Sequence, residues 1–261
     1  QFVQADAASR RGLTQVLEFF SLHKFSFLLQ SRFPRATCEI MTAVLNLDQF
    51  IYEASVFSIQ QSTHAEPSLF GVTDGKAVGT YLEHKFTRYL QSRYQFQAGN
   101  SANGIDFPSL NIDMKVTSRR QPQSSCPFRS ARQKIYGLGY ALIVFVYEKV
   151  DDPYSRTSLL KITDTIFINA EQTADYQTTR GLIEIINGNG NHDDVAAFLM
   201  DRNLPVDDIA LNNLASEILS NPPQLGYLTI SNALQWRLQY SRAIEQAGYA
   251  SGLFSIFKAQ V

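Results

Sequence analysis

The chain has 261 residues, 44% hydrophobic and 18% charged, enough for one large domain or for a core with an appended subdomain. Its 23 basic and 24 acidic residues leave a net charge of −1, which excludes a chain that coats nucleic acid with its whole surface but leaves room for a local basic patch. Two distant cysteines, Cys38 and Cys126, exclude a disulfide framework or a cysteine zinc site, and the longest apolar run, Ala141 to Tyr147, is far short of the ~20 residues that span a bilayer. A soluble, cytoplasmic protein with no membrane contact is expected.

From Gly12 to Gln30 and from Met41 to Gln60, apolar residues recur at helical spacing, so residues 1–70 read as a helical layer. Asp74-Gly75 can open a helix that runs to about Gln91, with Val78, Leu82, Phe86 and Leu90 on one face. After a loop rich in Gly, Asn and Ser, the residues Leu110, Ile112, Met114 and Val116 alternate with polar neighbours, the period of a strand. Ser130 to Leu138 fits a short helix, and Ala141 to Val146 a buried strand. Asp152-Pro153 turns the chain into a further strand, Ser158 to Ile168. Residues 71–171 thus read as an α/β core. Past Gln172 the pattern is helical, with candidate helices His192 to Arg202, Asp207 to Leu219 and Ser231 to Ala247, so 172–261 reads as a C-terminal helical region.

An acidic residue two before a lysine occurs at Asp74/Lys76, Glu83/Lys85 and Asp113/Lys115. Only the third pair lies in a strand, where positions two apart project from one face; on a helix such residues diverge. Asp106 precedes this strand, and Pro108 favours a turn that brings it beside Asp113. Clustered carboxylates repel one another, and a hard divalent cation such as Mg²⁺ relieves the repulsion by taking oxygen ligands. A lysine beside the ion can orient water or stabilise charge developing on phosphate. Glu83 lies one helical turn after Gly79, where the lack of a side chain lets the helix approach a neighbouring backbone and offer a third carboxylate.

Charge supports a polyanionic partner. Between Lys115 and Lys149 the basic residues Lys115, Arg119, Arg120, Arg129, Arg132, Lys134 and Lys149 face the single acid Glu148, a local net of +6 against −7 elsewhere. Nearer the C-terminus, Gln235 and Arg237 sit in the helix predicted for Ser231 to Ala247, and such side chains can read base edges.

At these residues the chain resembles the PD-(D/E)xK nuclease superfamily, and within it the methyl-directed mismatch-repair nicking endonuclease and the restriction enzymes related to it. The resemblance rests on Gly79-Thr80-Tyr81-Leu82-Glu83 and on Asp106-Phe107-Pro108-Ser109-Leu110-Asn111-Ile112-Asp113-Met114-Lys115. It departs at Ile105, where the motif name has Pro, and at Asp113, where Glu is commoner.

The resemblance implies a restriction-endonuclease-like fold, a mixed central sheet flanked by helices with helical additions at both ends. It also implies a type II restriction endonuclease that hydrolyses double-stranded DNA with Mg²⁺. Asp106, Asp113 and the Met114 carbonyl would hold the metal, Lys115 would assist the attacking water, and Glu83 would support that ion or a second one. Arg119, Arg120, Arg129, Arg132 and Lys134 are expected on phosphates, with Gln235 and Arg237 on bases. A palindromic target would suit a homodimer. A repair enzyme that nicks or resolves DNA, and a DNA-binding module without catalysis, stand as alternatives.

Overall fold

The computed structural model describes residues 43–99, 104–125, 130–202, 204–231 and 237–260. The predicted helix Gly12 to Gln30, both cysteines, Arg129 and Gln235 lie outside these residues. In chain order the main elements are β1 (Ala43–Val44), α1 (Leu47–Ser62), β2 (Ala65–Glu66), α2 (Gly75–Gln91), β3 (Tyr94–Gln95), β4 (Ile112–Ser118) and β5 (Gln123–Ser125). There follow α3 (Arg132–Tyr136), β6 (Ala141–Asp152), β7 (Thr157–Ile168), α4 (Tyr176–Asn187), α5 (His192–Asp201) and α6 (Asp208–Ser220). The last are β8 (Thr229–Ile230), β9 (Arg237–Gln239), α7 (Ser241–Gln246) and β10 (Leu253–Lys258).

The central sheet is mixed. Its strands run β10-β7-β6-β4, with β2 also paired to β7. The β4–β6 pair is parallel, while β6–β7 and β7–β10 are antiparallel. Helices flank this sheet, which is the restriction-endonuclease-like architecture. No helix among the described residues is long and apolar enough to cross a membrane.

Strand β6 shows why the sheet is a central layer. Ile143, Phe145 and Tyr147 enter one hydrophobic core, and the alternate residues Leu142, Val144 and Val146 enter another. A strand covered on both faces therefore reads as one unbroken apolar run. The first core is aromatic: Phe50 of α1, Phe86 of α2, Phe107 and Phe145 all have fully buried side chains. The Phe107 ring lies 4.9 Å from Phe50 and 6.2 Å from Phe86, edge to face. Such contacts contribute about 0.5–1.5 kcal/mol each beyond area burial. They also anchor the residue that follows Asp106.

Helix α2 begins as expected, with the Asp74 carboxylate accepting from the Lys76 N–H, and it buries Val78, Leu82, Phe86 and Leu90. A third core lies among the C-terminal helices through Leu182, Val195, Leu199, Leu211 and Ile218, joined by Ile135 of α3.

Three local expectations are corrected. Leu110 ends a short 3-10 turn, Pro108–Leu110, rather than opening the strand, because Asn111 takes a left-handed backbone (φ 55°) that resets the direction before Ile112. Ser231 to Ala247 is not one helix, since Arg237–Gln239 is a strand and a helix begins only at Ser241. The helical spacing of Leu234, Leu238 and Ile244 competes there with pairing of β9 to both β5 and β8, and pairing wins. The chain also returns to the central sheet as β10, which the helical reading of its end did not include.

Candidate active site

Among the described residues, strand β4 is the last strand of the central sheet. Its odd-numbered backbone groups face β6: Ala141 N–H donates to the Asn111 carbonyl, and Arg119 N–H to the Tyr147 carbonyl. Its even-numbered groups face outward, where Ile112 exchanges both backbone bonds with Phe107. On the same side the Met114 N–H donates to Asp106 Oδ2 at 2.9 Å. The N–H and C=O of one strand residue leave the same side, so the Met114 carbonyl also opens at this edge, next to Asp106.

The side chains alternate across the strand. Ile112 and Met114 are buried in the aromatic core, while Asp113 and Lys115 project from the other face, with Lys115 Nζ 2.5 Å from Asp113 Oδ2. The Asp106 carboxyl also lies beside that of Asp113 and helps to raise its pKa. The turn through Pro108 thus brings Asp106 to the strand, as its spacing predicts.

Asp113 is only 3% exposed. Burial pushes its carboxyl up to about 7, and contact with Asp106 adds to this, against the opposing pull of the Lys115 ammonium. Burial also raises Glu83, helped by the Asp106 charge and opposed by Lys115. Burial works against the Lys115 charge, but Asp113, Asp106 and Glu83 outweigh it and hold the ammonium protonated. Two carboxyls in mutual contact need either a shared proton or a cation between them.

The donor set therefore suits a hard divalent ion, with two carboxylates and a strand carbonyl at one edge. Glu83 is the looser member. Among the described residues no group of three or more His, Cys, Asp and Glu side chains could hold a metal ion. Nor is the approach of α2 at Gly79 tight, because an added Cβ would sit 3.9 Å from the Val116 Cβ, an ordinary contact.

These shifts give a pH dependence. A carboxyl raised in the fold contributes stability that is complete below its unfolded value near ~4. That stability is lost as pH rises through about 7 for Asp113, and Glu83 acts in the same direction. In chelator, the melting temperature is expected to fall between about pH 5 and pH 8 by on the order of 5 °C more than that of Asp113→Asn. Scanning calorimetry of the two proteins checks this, and parallel curves would exclude burial of the Asp113 charge as the cause.

A cleft of about 700 Å³ opens beside Lys115, lined among others by Lys76, Glu83, Lys115, Arg120, Gln123 and Arg237. The expected phosphate contacts divide around it. Arg119 and Arg120 are exposed at the turn after β4, and Arg120 lines the cleft. Arg132, 57% exposed, is paired with Glu217 of α6 at 2.6 Å. Lys134 is only 5% exposed; burial lowers its pKa, with the Asp175 carboxylate opposing that shift. Lys149 is bonded to Asp151. The +6 window of the sequence is therefore not one surface. Lys76 was missed as a cleft residue, although its position at the start of the helix that carries Glu83 was a usable signal.

A family model described as type II restriction enzyme NspV matches residues 44–255. The chain belongs to the NspV family of type II restriction enzymes. A curated relative, the type II restriction enzyme NspV of Nostoc sp. (strain ATCC 29411 / PCC 7524), is 59% identical over 215 residues, covering 82% of this chain and 98% of the relative. No solved structure gives a significant match. The NspV-family match takes in Glu83, the Asp106 to Lys115 segment and β5 through β9.

Proposed function

We propose that this NspV-family enzyme hydrolyses phosphodiester bonds of double-stranded DNA at a specific short sequence, using Mg²⁺ and a PD-(D/E)xK-type site similar to that of the mismatch-repair nicking endonuclease. The observation that carries the reading is the meeting of Asp106, Asp113 and the Lys115 ammonium at β4, where Asp106 accepts from the Met114 N–H. Asp106, Asp113 and the Met114 carbonyl would hold the ion, and Glu83 would support its charge from α2. A bound Mg²⁺ supplies Lewis-acid activation of water and neutralises charge at the phosphate.

Lys115 stays protonated, so it acts as an ammonium. It orients the attacking water by hydrogen bonding and stabilises negative charge on the pentacoordinate phosphorane. Arg119 and Arg120 meet phosphates beside the site, while Arg132 and Lys134 are engaged within the protein. Cutting both strands of a palindromic target needs two such sites, which a two-fold homodimer in the cytoplasm supplies.

A plasmid digest with Mg²⁺, run with and without chelator, tests the reading. Discrete double-stranded fragments that share one terminal sequence are expected, and chelator should abolish them. Nicked circles alone would favour a nicking enzyme, and intact plasmid in Mg²⁺ would sink the proposal.

A further inference from the structure

Beside the site stands a second, small sheet in the order β5-β9-β8. Its register places Gln123 opposite Gln239, and Gln239 opposite Thr229; Ser125 faces Arg237, and Ser124 faces Leu238. Directly opposed residues share a face. Leu238 and Ile230 point into the second core, so Gln123, Ser125, Arg237, Gln239 and Thr229 make up the other face. Gln123, Ser125 and Arg237 line the same cleft as Lys115 and Glu83.

We propose that this face is the sequence-reading surface of the enzyme, with Gln123, Gln239 and Arg237 contacting base edges in the major groove. The proposal rests on the nuclease reading of the neighbouring site. The face holds two amides, two hydroxyls and one guanidinium, with no acid. Phosphate binding calls for cations, whereas base edges call for paired donors and acceptors. Gln suits the N6/N7 edge of adenine and Arg the O6/N7 edge of guanine, and the major groove admits a β-ribbon. Arg237 makes no ion pair among the described residues, so its guanidinium is not spent on an internal acid.

The ribbon is also tied to the reacting centre. Thr117, buried on β4 two residues after Lys115, accepts from the Gln123 N–H at 2.8 Å. Its hydroxyl also lies 3.3 Å from the Gln121 carbonyl and 3.1 Å from that of Gln123. The Ser124 and Tyr240 hydroxyls bond at 2.5 Å, and Asp175 accepts from the Ile230 N–H at 2.8 Å. A reading face held this way is set in advance at one distance from Lys115, as a fixed cutting position requires.

The test maps cut ends after Mg²⁺ digestion of DNA carrying randomised sites, for the full chain and for Gln123→Ala, Arg237→Ala and Gln239→Ala separately. Absence of cutting by the unsubstituted enzyme would refute the nuclease reading and not the ribbon alone. If it cuts one motif, each variant is expected to lose discrimination at one base pair of that motif by on the order of tenfold or more. Binding to an unrelated duplex should change less than threefold. A variant that melts normally, binds unrelated duplex and no longer cuts the motif also supports the proposal. An unchanged motif in all three variants, or equal loss of affinity for motif and unrelated DNA, would overturn it. Three substitutions on two strands keep one folding failure from deciding the result.

Discussion

Lys115→Ala is expected to abolish detectable cleavage while the protein stays folded and still binds DNA. The ammonium is held protonated against Asp113, Asp106 and Glu83, so its contribution is positive charge at the point where phosphate charge develops. Loss of one such preorganised contact costs about 3–4 kcal/mol, on the order of a hundred- to a thousandfold in rate. Removing one partner of a buried pair normally strands the other charge at a cost to stability. Here Asp113 can take up a proton instead, since burial already raises its carboxyl to about 7. Single-turnover cleavage beside a gel-shift measurement separates the two effects. A Lys115→Ala protein that cuts at the parental rate would refute the site, and one that loses binding in parallel would make Lys115 a DNA anchor rather than a participant in the reaction.

Asp113→Asn is the second large effect expected. The amide keeps the shape of the side chain and can still bond Asp106 and Lys115, but it brings no negative charge to the edge of β4. Hard divalent ions take charged oxygen ligands, so the variant should lose cleavage by about a hundredfold or more and lose the rise in melting temperature that Mg²⁺ gives the parent. A Mg²⁺ titration followed by thermal melting reads the second quantity without any DNA present. An unchanged Mg²⁺-dependent rise would show that the ion is held elsewhere.

The central part of this site was legible because strand geometry is local. Once Ile112, Met114 and Val116 are seen to alternate with Asp113 and Lys115, the acid and the lysine must share a face. Pro108 likewise announces the turn that returns Asp106 to the strand. Buried apolar runs were equally legible, and β6 is such a run. Arg132 and Lys134 were not, since a linear count of charge cannot know that Glu217 and Asp175 will come from later elements to meet them. The small sheet was missed for a related reason. Strands of two or three residues carry no periodic signal, and β9 exists because β5 and β8 lie on either side of it.

By itself, then, the sequence determined the α/β core and the face of β4 that carries Asp113 and Lys115, together with the helix that carries Glu83, because these follow from backbone periods and turn chemistry within a few residues. Tertiary structure alone decided which cations reach the cleft, that the last residues return to the central sheet as β10, and that a ribbon of Gln and Arg stands beside Lys115. Those outcomes depend on pairings between segments far apart in the chain, such as Gln123 of β5 with Gln239 of β9 and Ile168 of β7 with Leu253 of β10. No local pattern encodes the free energy of such pairings.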